Sequence, residues 1–118
     1  MLIEAIIQGD LEAVKKLIME KANVNKPDAK NVYPLQWAIK LNHTDIALEL
    51  ISAGADINIT DPQGNTPLHL CFLSPNNLKV LERLLNCEDI DLNAINHQGN
   101  TPLALGTIFV IKFSVIVV

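Results

Sequence analysis

Chemistry at a protein site needs nucleophiles, acids, bases or metal ligands brought together, and this chain offers three histidines, two cysteines and thirteen carboxylates. His69 and Cys71 are the nearest such pair, but two residues apart on a helix they point to different sides, so local spacing does not support a thiolate–imidazole nucleophile. Cys71 and Cys87 form no C-x-x-C pair, and two such cysteines fit a reduced, intracellular and cytoplasmic setting better than a disulfide framework. Glu88, Asp89 and Asp91 make an acidic loop. A calcium loop needs oxygens at alternate positions, a glycine and a distal glutamate; the loop lacks these and reads as solvated surface. No Gly-rich phosphate loop or metal-ligand spacing occurs. The expectation is a protein that is not an enzyme, with no catalytic residue, no metal and no cofactor.

The elements that would position any site are organised around Gly54 to Cys71. Gly54 reads as a helix stop, because a residue without Cβ enters the left-handed conformation cheaply after a last helical turn. Pro62-Gln63-Gly64 reads as a tight turn with Gly64 at positive φ. Thr66-Pro67 reads as a helix start, Thr capping orphan amides and Pro holding a helical φ at the first position. The pattern recurs. Pro34 and Pro67 stand 33 apart, as do Asn25 and Asn58, Leu35 and Leu68, and Ala5, Ala38 and Cys71; from Pro67 to Pro102 and from Asn58 to Asn93 the interval is 35. A fixed period of this size marks stacked repeats.

The residues Gly-Ala-Asp-Ile-Asn at 54–58, followed by Asp-Pro-Gln-Gly-Asn-Thr-Pro-Leu-His at 61–69, resemble the ankyrin repeat, whose period is also 33. The resemblance covers residues 2–106. It implies an all-α repeat protein, an ankyrin solenoid of stacked helix-turn-helix units with projecting β-hairpin-like loops. The repeat domain is then 1–106, with repeats at about 1–27, 28–60, 61–95 and an incomplete one at 96–118, whose residues 107–118 form an apolar, atypical tail. It also implies that His69 bonds the backbone of a neighbouring loop.

Taken in order, Leu2 to Gln8 and Leu11 to Glu20 read as the helices of a first repeat without its front loop, with Asp10 as N-cap. Ala13, Val14, Leu17 and Ile18 place one apolar stripe on the second helix, and Ile46, Ala47, Leu50 and Ile51 repeat it. In the second repeat Tyr33-Pro34-Leu35-Gln36 stands where Thr66-Pro67-Leu68-His69 comes later, so the threonine cap is lost. Asn31 stands for Gly64 and is the best non-glycine choice for positive φ. Asn42-His43-Thr44-Asp45 is expected to turn the chain and cap the next helix. Insertions fall at Ser74-Pro75-Asn76-Asn77 and between Asn86 and Asp91, in loops where added length costs little closure entropy. The tail from Thr107 has three readings: the end of a short final helix, the altered end of a longer array, or a membrane anchor. The last falls short of the roughly 20 apolar residues a span needs, with Lys112 in its middle. An exposed β-branched segment with little charge can also drive self-association.

With a net charge of −4 and a pI near 5.2, no electrostatic footprint for nucleic acid is present. The first residues show no basic n-region and no small-residue cleavage site, so a secretory signal is not expected. What remains is binding to another protein. The resemblance implies contact positions at the finger tips, here Ala29, Lys30 and Val32, then Pro62, Gln63 and Asn65, then His97, Gln98 and Asn100. At the exposed ends of the inner helices it implies Ile7 and Gln8, Lys40 and Leu41, and Leu73 and Ser74. Tyr33 is a candidate aromatic anchor, whereas Trp37 aligns with Leu70 and is expected to pack between repeats. Ile7, Leu41 and Leu73 are expected to give the groove an apolar floor, favouring a protein segment over a polyanion or a small-molecule substrate. Two further functions stay open: a regulatory ankyrin fragment of a larger enzyme or channel, and a module that self-associates through residues 107–118.

Overall fold

The computed structural model of the chain describes residues 1–74 and 77–106; the readings made above for the tail and for Pro75-Asn76 lie outside the described residues. Among the described residues six helices occur in order, α1 Leu2–Gln8, α2 Leu11–Met19, α3 Pro34–Lys40, α4 Thr44–Ser52, α5 Pro67–Leu73 and α6 Leu78–Leu85, with a short helical stretch over 102–106. All are too short to be stable alone in water, so packing must hold them.

Local residue types set where these helices begin and end. Asp10 Oδ1 accepts the Ala13 amide at 3.0 Å and starts α2. Thr66 Oγ1 accepts the His69 amide at 3.3 Å and starts α5. At α3 the threonine's bond is missing, but the Gln36 side-chain oxygen accepts the Tyr33 amide at 2.8 Å, as His69 Nδ1 accepts the Thr66 amide. At α4 the expected cap is absent. Thr44 is already helical and His43, at the N-cap, makes no side-chain capping bond. The His43 ring is used elsewhere: it lies over Gly9, where a Cβ would come within 2.9 Å of its Cε1.

The loops that precede α3, α5 and residues 102–106 form three fingers, the second, third and fourth of the array. Each is built on one side-chain oxygen at its root. Asp28 Oδ1 accepts the Lys30 and Val32 amides at 2.9 and 3.0 Å. Asp61 Oδ1 accepts those of Gln63 and Asn65, both at 2.9 Å, and Asn96 Oδ1 those of Gln98 and Asn100, both at 3.0 Å. Such local bonds hold a turn without a strand ladder. One backbone bond then closes each finger, Asp28 N to Val32 O, Asp61 N to Asn65 O and Asn96 N to Asn100 O. The fingers are hairpin-like in this sense only, since no strand occurs among the described residues. Asn31 has φ 62° and Gly64 φ 80°, as the turn demands. Gly64 meets a second demand, because a Cβ there would sit 2.7 Å from His97 Cδ2 and 3.0 Å from its backbone nitrogen.

Packing is repetitive. The inner helices α1, α3 and α5 contact one another in file, as do the outer helices α2, α4 and α6, and each inner helix contacts its own outer partner. The middle outer helix has neighbours on both sides, and its whole stripe is buried: Ile46, Ala47, Leu50 and Ile51 are between 0% and 7% exposed. In α6 the same stripe is half open, with Val80 and Leu84 buried and Leu85 50% exposed. Leu35 and Leu68 are each 1% exposed, and burying a side chain of this size contributes roughly 1.5–3 kcal/mol.

Candidate partner-binding surface

The structure sorts the expected contact residues into two groups. Ala29, Lys30, Pro62, Gln63, His97 and Gln98 are exposed at the finger tips, and Ile7, Gln8, Lys40, Leu41 and Leu73 are exposed along the inner-helix ends. Tyr33 is half-buried.

The others turn inward. Val32 is 8% exposed and belongs to the core, which removes it as a contact residue. Its equivalents are tied into the array: Asn65 Oδ1 accepts Asn96 Nδ2 at 2.8 Å, and the Asn100 carbonyl pairs with His69 Nε2 at 2.8 Å. The last residue of a finger closes the loop through its carbonyl, so its side chain is drawn toward the neighbouring repeat. Ser74 is half-buried and its carbonyl accepts Asn77 Nδ2 at 3.4 Å.

The floor is also different from the continuous apolar strip expected. By the 33-residue period Ile7 corresponds to Lys40 and Leu73, whereas Leu41 corresponds to Gln8 and Ser74. One register step rotates a helical side chain by about 100°, so Ile7, Leu41 and Leu73 do not form a row. The true row is apolar, cationic, apolar. Lys40 moreover is engaged: its Nζ lies 3.4 Å from Asp61 Oδ2, a carboxylate whose side chain is only 1% exposed. Trp37 is half-buried, and its indole N–H donates to Asp28 Oδ2 at 2.9 Å. Position 61 has no such donor, because Leu70 replaces the tryptophan, and Lys40 supplies charge in its stead.

The electrostatics follow from these contacts. The Val32 amide, ahead of the Trp37 indole, the Lys30 amide and the Lys30 charge, holds the Asp28 carboxyl below its ordinary value against the opposing effect of desolvation. Burial pushes the Cys71 thiol up to about 12, so it is no nucleophile. The two cysteines are free, and among the described residues no group of three or more His, Cys, Asp or Glu side chains could hold a metal.

The fingers are stitched by residues whose periodicity was visible but whose role was not. Asn25 accepts the Asp56 amide at 2.7 Å and donates to the Gly54 carbonyl at 3.4 Å, joining the roots of the second and third fingers. Asn58 accepts the Asp91 amide at 2.8 Å and donates to the Asp89 carbonyl at 2.7 Å, joining the third and fourth. His69 accepts the Thr66 amide on Nδ1 at 3.1 Å, which leaves the proton on Nε2 to bond the Asn100 carbonyl. This is the loop-backbone bond that the resemblance implies. The recurrence of Asn at 25 and 58, and of Asp at 28 and 61, was the signal.

A file of helical hairpins with projecting fingers defines a class of repeat proteins. Residues 2–96 match the family model described as ankyrin repeats in three copies, and the chain belongs to the ankyrin-repeat family. It is 41% identical over 92 residues to a palmitoyltransferase, AKR1, of Kluyveromyces lactis, covering 74% of this chain and 12% of that protein. It is 35% identical over 92 residues to a putative ankyrin repeat protein of Rickettsia bellii, covering 73% and 54%. Protein phosphatase 1 regulatory subunit 27 of Homo sapiens is 36% identical over 79 residues, covering 67% and 50%. The chain thus spans between about an eighth and about half of the length of these relatives. Ankyrin repeats are a protein–protein interaction module and the family is typically non-catalytic; the match to the palmitoyltransferase covers a small part of that protein. No helix among the described residues is long and apolar enough to cross a membrane.

Proposed function

We propose that this chain is a non-enzymatic scaffold whose finger tips and inner-helix ends hold a segment of another protein, in a reducing, intracellular compartment. One observation carries the reading. At equivalent positions of successive repeats Lys30, Gln63 and Gln98 stay exposed, and so do Ile7 at 47%, Lys40 and Leu73 at 54%, with Leu41 one residue beyond Lys40 at 38%, while adjoining positions such as Ile6 and Ile39 are fully buried. A surface of amides, isolated lysines and separate apolar side chains suits a peptide segment, and no uncompensated basic patch for nucleic acid accompanies it. Affinity capture comparing the wild type with Gln63→Ala and Lys30→Glu tests it. Both positions are solvent-facing, so folding is expected to survive. Loss of the same captured protein in both variants is expected; capture unchanged by both substitutions overturns the choice of face.

A second reading is favoured by one finding, the fraction of each relative that the chain covers. The array then positions or restrains a catalytic or regulated part of a larger protein, as the names of the palmitoyltransferase and phosphatase-subunit relatives suggest. Self-association through residues 107–118 is a third, and sedimentation of the chain with and without that segment decides it: a concentration-dependent mass that disappears on deletion supports it, and a monomer throughout overturns it.

A further inference from the structure

We propose that the tips of the second and third fingers part about the Asn25 pin, and that the gap seats the backbone of an extended, uncharged segment of the partner. The proposal rests on the reading of the face given above and says where on it the partner enters.

The two finger joints have the same backbone plan but not the same bonds. Between the third and fourth fingers the root is pinned by Asn58, and three further bonds reach toward the tips: His69 Nε2 with the Asn100 carbonyl, Asn96 Nδ2 to Asn65 Oδ1, and the His97 amide to the Gln63 carbonyl at 3.0 Å. Between the second and third fingers Asn25 pins the root, and each tip bond has lost a partner by substitution. Gln36 replaces His69, Val32 replaces Asn65, and Pro62, which has no N–H, replaces His97.

Two buried polar atoms are left over at this joint. The Gln36 side chain is fully buried, and its Nε2 has no hydrogen-bond partner among the described residues. Asp61 Oδ2 accepts no hydrogen bond there either, and only the charge of Lys40 compensates it. Among the described residues the one other atom of this kind, Asn77 Oδ1, lies at the inter-helix turn, away from the fingers. By the repeat both orphans stand beyond the Asn25 pin, where the third finger meets the second repeat: Gln36 is the equivalent of His69, whose Nε2 reaches the Asn100 carbonyl of the finger that follows it.

A buried donor without a partner, and a buried acceptor that has a counter-charge but no hydrogen bond, destabilise the closed joint relative to one that pairs them. An extended backbone carries the missing acceptor and the missing donor in each residue, which is how peptides add to a protein through main-chain bonds. Charge selects the same ligand. Lys40 is balanced by Asp61 and Lys30 lies in the field of Asp28, so the lips of the gap have no net attraction for a strongly acidic or basic segment.

Spin-label distances measured on the full chain test the opening. Labels at Lys30→Cys with Gln63→Cys, and separately at Gln63→Cys with Gln98→Cys, both in a Cys87→Ala background, compare the joints at equivalent positions. A broad 30–63 distribution and a narrow 63–98 distribution are expected, with Gln36→His narrowing the first. Equal widths overturn the opening. The ligand is tested with short extended peptides selected from a random library against the unlabelled chain, because the label sites lie on the binding face. Bound peptides are expected to slow amide hydrogen exchange at the facing tips of the second and third fingers and to leave that of the fourth unchanged, and N-methylation of one central backbone amide to weaken binding about tenfold or more, the loss of a single main-chain bond to a charged acceptor. Binding indifferent to N-methylation, binding with exchange unchanged at the second and third fingers, or selection of no peptide each overturns the ligand. If peptides bind with exchange unchanged there and Gln63→Ala abolishes binding, the face stands and the gap falls.

Discussion

The third and fourth fingers are bonded from root to tip, whereas the second and third are bonded at the root and then held by a single ion pair. Their turns are built alike, with one oxygen taking two amides and one backbone bond closing the loop. The difference lies in a handful of side chains, and it teaches that a repeat fold fixes where neighbours stand without fixing how tightly they grip. His69 reaches across because both ring nitrogens are used in a line; Gln36 uses its oxygen for the Tyr33 amide and leaves its nitrogen unpaired.

The largest change expected affects both joints alike and so serves as the reference. Leu68→Ala removes a side chain 1% exposed at the centre of the stack and is expected to destabilise by roughly 2–5 kcal/mol. Gln63→Ala, at an exposed tip, should stay within about 0.5 kcal/mol of wild type. Thermal or urea melts check both, and the reverse ranking would mean that the repeat register is wrong.

The tighter joint should be the costlier to break. His69→Ala strands the Thr66 amide and leaves the Asn100 carbonyl with the Asn96 amide alone; it should cost roughly 2–4 kcal/mol, combining lost bonds and lost volume. At the looser joint Lys40→Met leaves the Asp61 carboxylate buried without its counter-charge. Losing one partner of a buried pair can cost more than this, but the Lys40 side chain is 35% exposed, so roughly 1–2 kcal/mol is expected from urea midpoints. A neutral result would show that the ion pair does not hold the joint. Lys40 is for the same reason a poor probe of partner binding.

How much of this was legible in the residues differs between fold and site. The period, the proline starts, Gly54, Gly64 and the two stripes gave the solenoid, because helix stops and apolar spacing are local properties. The inward turn of Val32 and the tie between Asn65 and Asn96 were not legible, since they depend on which neighbour a finger leans against. The Lys40–Asp61 pair joins residues from different repeats and shows in no local pattern. The supposed apolar floor failed on a single register step, which a period count at Ile7, Lys40 and Leu73 would have exposed.

The smallest effect expected is on acid stability. The Asp28 carboxyl is held below its ordinary 3.8 in the folded chain, so it stabilises the fold above that value, and the contribution is lost as pH falls through the lower folded value. Asp28→Asn, which keeps an acceptor oxygen as Asn96 does, should flatten the fall in melting temperature between about pH 4 and pH 2. An unchanged slope would remove Asp28 from the account.

The account's central claim is that the two finger joints differ in bonding, and the most direct measurement exchanges their key residues. Urea unfolding of Gln36→His and of His69→Gln, each against wild type, should give opposite signs. The first should stabilise by about 0.5–1.5 kcal/mol by supplying the missing bond, and the second should destabilise by roughly 1–3 kcal/mol. Two substitutions that destabilise equally, or that leave both midpoints unmoved, would contradict it.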